Sequence, residues 1–397
     1  MSDTLSVTYS GRFARLFGLS LSTLTLTILT LGIYRFWMKA RLRRYYWASV
    51  QPGGVPMEYH GTGVEKLLGF LVAAIFLAIY LLILNIVLSF VGIAFFAGNP
   101  VATVISFVAV LPLIFFARYR ARRYILSRTR WRGLRFGVEP VAFEYMWLAL
   151  GHTILTVLTL GLLYPRQHFK LEKFVTDRTW YGDLRLVQNG TWSMLFRPWL
   201  VVLGGIVLLI GGFVQAAATG DPENLIFLPL LFPVIVFGLV FYSVTSFRTL
   251  TAHKQAGHHV RFQSRIRTGR VLRIYVLGTL ALSVILILSM TALLAIGWVY
   301  FAALDINAGN LGNLLELPLD GPAGWAGVGF SVFSYFFLML VLSTFAETLF
   351  VQPLIRHYAV ETTILNASEI EFANQRPHDA AVEAEGFADA LDVGAAI

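Results

Sequence analysis

Residues 67–117 contain no Asp, Glu, Lys or Arg, and neither do residues 224–247, 274–304 and 321–346. A helix of about 20 apolar residues spans the hydrocarbon core of a bilayer, and the first run has room for two such spans around a turn at Gly98-Asn99-Pro100. In water these segments would expose contiguous apolar surface and aggregate. Composition agrees: 13% of the 397 residues are charged and 57% hydrophobic, against roughly 25% charged in soluble domains. The chain therefore reads as an all-α integral membrane protein, a polytopic helix bundle.

Charge placement sets the expected topology. The connecting segments 97–99, 218–224 and 304–320 hold none of the 31 basic residues, and the last two carry Asp221, Glu223, Asp305, Glu316 and Asp320. Basic loops remain in the cytoplasm, so these three segments face outward. The flanking apolar stretches become three hairpins near 67–117, 199–247 and 274–355, giving six full spans. Two apolar segments are left over, 16–34 and 146–164. Both are rich in hydroxyls (Ser20, Ser22, Thr23, Thr25 and Thr27; Thr153 and Thr156), and such side chains can satisfy backbone groups where a membrane helix breaks. If both are re-entrant, every basic residue stays inside. If both cross, the spans number eight and residues 166–197 and 248–273 lie outside. The charge rule favours re-entry. The N-terminus, Met1-Ser2-Asp3-Thr4, lacks the basic-then-apolar order of a cleaved signal, so no processing is expected. Absence of cysteine excludes disulfides, thiolate metal sites and palmitoylation.

The chain also repeats itself. Six triplets alternate apolar, polar, apolar: Val7-Thr8-Tyr9, Met57-Glu58-Tyr59, Leu134-Arg135-Phe136, Leu184-Arg185-Leu186, Val260-Arg261-Phe262 and Ile370-Glu371-Phe372. Their first residues are separated by 50, 77, 50, 76 and 110. Thr27-Ile28-Leu29-Thr30-Leu31-Gly32 returns as Thr156-Val157-Leu158-Thr159-Leu160-Gly161, offset by 129. A tandem duplication produces such self-similarity. It divides the chain into a first membrane repeat at 1–133, a second at 134–259, a partial third at 260–372 and an acidic, Ala-rich tail at 373–397 that reads as disordered. Alternation over three or four residues suggests short cytoplasmic strands or extended segments along the headgroups.

One stretch resembles a known family. Leu29-Thr30-Leu31-Gly32-Ile33-Tyr34, then Trp37, Lys39, Arg41 and Arg43-Arg44-Tyr45, and then Glu58-Tyr59-His60-Gly61-Thr62-Gly63 are similar to the signature of the bacterial YjgN family. The second copy departs from it, with Arg166-Gln167-His168 in place of the Phe36-Trp37-Met38 region. The resemblance implies a bacterial inner-membrane protein without an established activity, and it carries no catalytic residues over.

The residues themselves offer little chemistry. Gly61-Thr62-Gly63 precedes Lys66 at a spacing that fits neither a Walker loop nor a dinucleotide fingerprint. His253, His258 and His259 share a loop with Lys254, Arg261 and Arg265, a cationic setting poorly suited to Zn²⁺. No catalytic, cofactor or metal set is expected, so the chain does not read as an enzyme. Its net charge of +9 fits membrane headgroups better than nucleic acid. Charged groups within spans are functional candidates by default, which singles out Glu347, shortly before Gln352 and Pro353, and His152 in the second Thr-rich segment. The basic–aromatic belts mark contacts to anionic phospholipids: Trp37, Arg41, Arg43, Arg44 and Trp47 in one, and Arg120, Arg122, Arg123 and Trp131 in the other. Repeats, candidate re-entrant segments and Glu347 point to transport or a channel for a solute the sequence does not identify. The alternative is an anionic-lipid-binding or scaffold protein.

Overall fold

A computed structural model describes residues 4–96, 101–220, 228–303 and 322–376. In chain order the elements are β1 (Thr4–Tyr9), α1 (Phe13–Leu29), α2 (Arg35–Ser49), β2 (Val50–Pro52), β3 (Met57–Tyr59), α3 (Gly63–Phe96), α4 (Val101–Ser127), β4 (Thr129–Trp131) and β5 (Leu134–Val138). Next come α5 (Ala142–Leu158), α6 (Tyr164–Thr176), β6 (Thr179–Tyr181), β7 (Leu184–Gln188), a 3₁₀ turn at Trp192–Leu195, α7 (Phe196–Thr219), α8 (Leu228–Ala252), β8 (Lys254–Ala256) and β9 (Val260–Ser264). The chain continues with α9 (Thr268–Ala303), α10 (Pro322–Ala346), a π turn at Glu347–Val351, α11 (Gln352–Val360), β10 (Thr362–Leu365) and a 3₁₀ helix at Ala367–Phe372. The motif strand, helical pair, strand thus occurs five times.

The all-α expectation is overturned. Ten strands form one antiparallel sheet in the order β2-β1-β10-β9-β8-β7-β6-β5-β4-β3. Its two end strands, β2 and β3, are consecutive in sequence and joined through residues 53–56 alone, so the sheet curls into a nearly closed ring. Five of the six alternating triplets are the leading strands β1, β3, β5, β7 and β9; the sixth, at Ile370, is 3₁₀ helix. The trailing strands give no such signal. β2, β4, β6 and β8 have three residues each, too few for a period of two to register. Backbone pairing to neighbours, not local pattern, holds them extended.

Antiparallel neighbours place successive connections at alternate ends of the sheet. All five helical pairs therefore leave and rejoin the sheet at one end, and tight turns occupy the other. The β4–β5 turn shows why glycine is needed there: Arg132 and Gly133 both have positive φ, 49° and 80°, as a two-residue turn matched to strand twist requires. Each helix-to-strand joint reuses one device. Ser49, Thr129, Thr179 and Thr362 donate their hydroxyls to the carbonyls of Tyr45, Ile125, Val175 and Tyr358 at 2.7–2.8 Å. At β8 the matching atom is His253 Nδ1, 2.8 Å from Thr249 O. These bonds satisfy carbonyls that the last helical turn leaves without a partner.

By its contacts the chain divides into two units, residues 1–10, 39–271 and 357–397, and residues 11–38 and 272–356. The first holds the whole sheet. Inside the sheet, Trp131, Tyr181, Val260 and Ile364 pack with Phe136, Leu186 and Phe262 around an apolar cavity of about 110 Å³. Tyr181 donates to Trp131 O at 2.9 Å and the Trp131 indole to Val55 O at 3.2 Å, so both aromatics are buried with their polar ends satisfied. The 3₁₀ helix adds Ala367 and Ile370 to this core. Its Glu369 carboxylate accepts from the backbone N–H groups of His258 and His259 at 2.8 and 2.7 Å. In the same unit α7 and α8 approach closely at Gly205, opposite Ile235, and Gly238, opposite Val202. The second unit brings α1 against α10 through Phe17 and Phe345, with ring centroids 5.3 Å apart, and sets Phe350 of the π turn over Gly278 of α9.

Five helical segments are long and apolar enough to cross a membrane among the described residues: Gly63–Val87, Trp192–Thr219, Leu231–Ala252, Thr268–Val299 and Gly324–Val360. Their side chains are largely exposed, Ile75, Phe76, Ile79, Leu82, Ile83 and Ile86 on α3 among them. Each such side chain left in water forgoes about 1.5–3 kcal/mol, so a bilayer is the solvent this surface requires. The expected outward segments at 97–99 and 304–320, residues 221–224 of the middle one, and the tail beyond 376 lie outside the described residues.

The two Thr-rich segments are shorter helices, α1 and α5, 17 residues each and so about 25 Å long. Both end in the same turn. Gly32 N–H donates to Thr27 O and Leu31 N–H to Ile28 O; Gly161 donates to Thr156 O and Leu160 to Val157 O. This is a Schellman closure, but its left-handed position holds leucine, at φ 50° in both copies, with glycine next. Leucine there costs about 1–2 kcal/mol. Within the helices the threonine hydroxyls bond along an unbroken backbone, and only at the turn do Thr30 and Thr159 satisfy backbone groups across a break, accepting from Tyr34 and Leu163 N–H. Thr23, Thr27 and Thr30 bond the carbonyl four residues back, and Thr30 also accepts from Tyr34 N–H at 2.9 Å.

Candidate functional site

A polar-lined cavity opens among α4, α5 and α6, with a volume of about 150 Å³. Its position follows from the α5–α6 turn. Pro165 suits the first turn of α6, where no N–H is needed. The Gln167 amide donates to Thr153 Oγ1 at 2.7 Å and fixes α6 back along α5, while the Trp199 indole donates to Gly161 O at 3.0 Å and secures the turn from α7. One face of α6 then presents His168, Leu171, Glu172 and Val175 at helical spacing to the cavity.

Glu172 organises the charge. Its carboxylate lies 2.7 Å from Lys254 Nζ on β8 and 3.3 Å from Arg122 Nη1 on α4. Burial opposes its ionisation, but Lys254 and Arg122 outweigh burial and hold the carboxyl well below its ordinary value. Two successive helical pairs and strand β8 are tied together through this one side chain. Next to it, Lys173 donates to Gln188 O at 2.6 Å and pairs with Asp177, which accepts from Gln188 N–H. His168 Nδ1 stands 2.9 Å from the Tyr242 hydroxyl. Burial lowers the imidazole pKa; Glu172 pushes the other way, and Arg118 and Lys254 add to the lowering. The ring is therefore neutral at pH 7. Arg118 and Tyr164 are exposed members of the lining. The charged residues of the lining are Arg118 and Arg122 against Glu172, and Lys254, outside the lining, pairs with Glu172 as well. A small anionic group bearing hydrogen-bond acceptors fits this lining, with Phe115 and Tyr145 as apolar walls.

The residues singled out from sequence are distributed differently. Arg122 alone of the headgroup candidates lines the cavity. Arg43 is 7% exposed, its guanidinium 5.4 Å from the Tyr59 ring centroid and 5.9 Å from that of Trp47. Arg44 donates to the carbonyls of Tyr59 and Gly61, and the Trp47 indole to Thr129 Oγ1 at 2.9 Å. Trp131 sits inside the sheet at 4% exposure. Trp37 stacks on Tyr34, Arg120 lies over Phe116, Arg123 is half-buried and Arg41 is exposed. His152 is half-buried on α5 away from the cavity lining. Glu347 begins the π turn and is half-buried. No group of three or more His, Asp or Glu among the described residues could hold a metal ion. Arg118, Gln167, His168 and Glu172 escaped selection. Glu172 carried a signal: it stands 129 residues after Arg43, a reversal of charge between aligned positions.

Fold and site together define an integral membrane protein that combines membrane-length helices with one curled antiparallel sheet. The chain belongs to the DUF898 family, described as bacterial protein of unknown function, whose model matches residues 4–304. Among curated proteins it is similar to the inner membrane protein YjgN of Escherichia coli O157:H7, 26% identical over 159 residues, and to its namesake in Salmonella typhimurium, 23% identical over 158. Each alignment covers 40% of this chain and 37% of the relative, so the matched region spans little more than a third of the curated relatives. The relationship to the YjgN family expected from the first belt is thus established. The relatives' name and the apolar helices place the chain in the bacterial inner membrane. No solved structure matches.

Proposed function

We propose that this protein binds the headgroup of an anionic phospholipid in the cavity between α4, α5 and α6, without catalysis. The carrying observation is an aromatic-walled cavity of about 150 Å³ lined by Arg118 and Arg122 against the carboxylate of Glu172, at the end of the sheet from which the helices depart. A cavity of that volume holds a benzene-sized molecule, enough for one phosphate group. In this reading the long helices form three hairpins that cross six times, and the sheet with its basic belts faces the cytoplasm. The recurring strand–helix–helix–strand motif descends from tandem duplication. The sheet then serves as a platform for the lipid-facing hairpins of its own unit, α3–α4 and α7–α8.

The test is lipid retention in nanodiscs of equal phosphatidylglycerol and phosphatidylcholine, read by native mass spectrometry. One basic side chain contributes about 1 kcal/mol toward an anionic headgroup, roughly a fivefold preference. Arg118→Gln is expected to lose about that factor for phosphatidylglycerol only. Equal retention by wild type and Arg118→Gln removes the reading. A second reading, solute transport, rests on the half-buried Glu347 in a π turn, since such turns recur at functional sites. Flux into proteoliposomes that Glu347→Gln abolishes would favour it.

A further inference from the structure

The same unusual turn occurs twice, and both copies display leucine. Leu31 and Leu160 are each 90% exposed and each left-handed. Glycine or asparagine would sit there with less strain. Around them Leu29, Ile33, Leu158 and Leu162 are exposed as well. No packing among the described residues rewards leucine at these positions, each 90% exposed, which points to a reward from outside the chain. The occupant is settled by continuity. In the unit that holds the sheet, α5–α6 leaves between β5 and β6 at the end from which the membrane-length α3, α7 and α8 also leave; in the other unit α1 packs against the membrane-length α10 through Phe17 and Phe345.

The returning helices fix the depth. Arg35 comes four residues after Leu31 and is followed by Lys39, Arg41, Arg43 and Arg44; Arg166 comes six residues after Leu160 and is followed by Lys170, Glu172 and Lys173. Helices so charged cannot stand in hydrocarbon. Gln167 on Thr153 shows α6 folded back beside α5 from the tip onward, and Thr27 on Met38 shows the same return in the first copy, at 3.8 Å. The first turn of each return arm must therefore stay at headgroup level, which leaves only the leucines below it, about 5–10 Å into the boundary with the acyl chains.

We infer that each of the α1–α2 and α5–α6 tips is a shallow finger that inserts leucine into the boundary of the bilayer and crosses no further. An apolar tip wedged into one leaflet enlarges that leaflet. The α5–α6 tip accordingly favours membrane that is convex toward the sheet of its own unit.

The chain has no cysteine, so single labels need no prior mutation. Leu29→Cys and Leu158→Cys, at exposed helical positions beside the tips, carry a fluorophore in vesicles whose lipids bear a quencher at either the headgroup or the acyl terminus. Ile75→Cys and Ile287→Cys, on long apolar helices, report the deep position. Stronger quenching at 29 and 158 by headgroup quencher than by acyl-terminal quencher is expected. Stronger acyl-terminal quenching, or no quenching by either, overturns the inference. In a second measurement, Leu31→Asn with Leu160→Asn keeps a residue that tolerates the left-handed turn. Wild type should enrich in small over large vesicles of one composition, and the double variant should lose that enrichment; equal partitioning of the two proteins refutes the wedge.

Discussion

Replacing Glu172 by Gln removes one negative charge from between two cations while preserving shape. The magnitude follows from the local geometry. Breaking a fully buried ion pair costs about 3–5 kcal/mol, and losing an exposed one about 0–1 kcal/mol. The Glu172 and Lys254 side chains are 20% and 22% exposed, and Arg122 is 42% exposed. Most of the loss therefore comes from Lys254, and the Arg122 contact is discounted for solvent screening. An overall cost of about 2–3 kcal/mol is expected, which in a folding unit of this size lowers Tm by about 5–10 °C. The assay is intrinsic tryptophan fluorescence during heating in nanodiscs. The acid branch supplies an internal check. Because the folded-state pKa of Glu172 is lowered, its contribution is present above the unfolded carboxyl value and fades as pH falls through the folded one. Below about pH 4.5 the wild-type Tm should descend toward that of Glu172→Gln. The reasoning is refuted if Glu172→Gln melts within 1 °C of wild type at pH 7, or if its effect simply adds to that of Lys254→Gln, since partners in contact must couple.

Other outcomes follow from single contacts. Thr129→Val should cost about 1–3 kcal/mol, because it leaves the Trp47 indole N–H and the Ile125 carbonyl without their shared partner; the same thermal melt measures it. Trp131→Ala empties the sheet core and should cost about 3–5 kcal/mol, read as lost near-ultraviolet circular dichroism together with lowered Tm. His168 has a lowered pKa, so the unfolded chain takes up its proton first as pH falls. Stability should decline below about pH 6.5, and His168→Gln should flatten that part of a Tm-against-pH curve. Gly257→Ala, at φ 58°, places a methyl against the Glu369 carboxylate, and should free the His258 and His259 amides to faster hydrogen exchange.

The membrane class was legible because hydrocarbon imposes a coarse demand that any charge-free run of 20 residues announces. The leading strands registered as alternating triplets, but the trailing strands and the sheet they complete did not, because their demand is distributed. β4 is Thr129-Arg130-Trp131, three residues that also read as the end of a basic belt, and only pairing with Met57-Glu58-Tyr59 and Leu134-Arg135 makes it a strand. The belts misdirected for the same reason. Arg43 and Trp131 have the composition of an interface anchor, yet one lies on Tyr59 and the other inside the sheet. Sequence gives the chemistry of a side chain but not the face toward which a neighbouring strand turns it. Glu172 was hidden by its context, one acid among Lys170 and Lys173, whose counter-ions on α4 and β8 lie 50 and 82 residues away.

Closure of the sheet has a consequence for how the chain is made. β1 takes its second partner from β10, with Thr4 opposite Leu365 and Ser6 opposite Thr363. The earliest described strand must keep one edge waiting until the last described strand emerges. By then every helical pair between them has been synthesised and offered to the bilayer. Such long-range pairing is slow and leaves a template for misassociation while it is pending. The final stitch is thus a quality-control point: a chain stopped before Thr362 would carry all its apolar helices and two adhesive strand edges, making it a natural target for degradation.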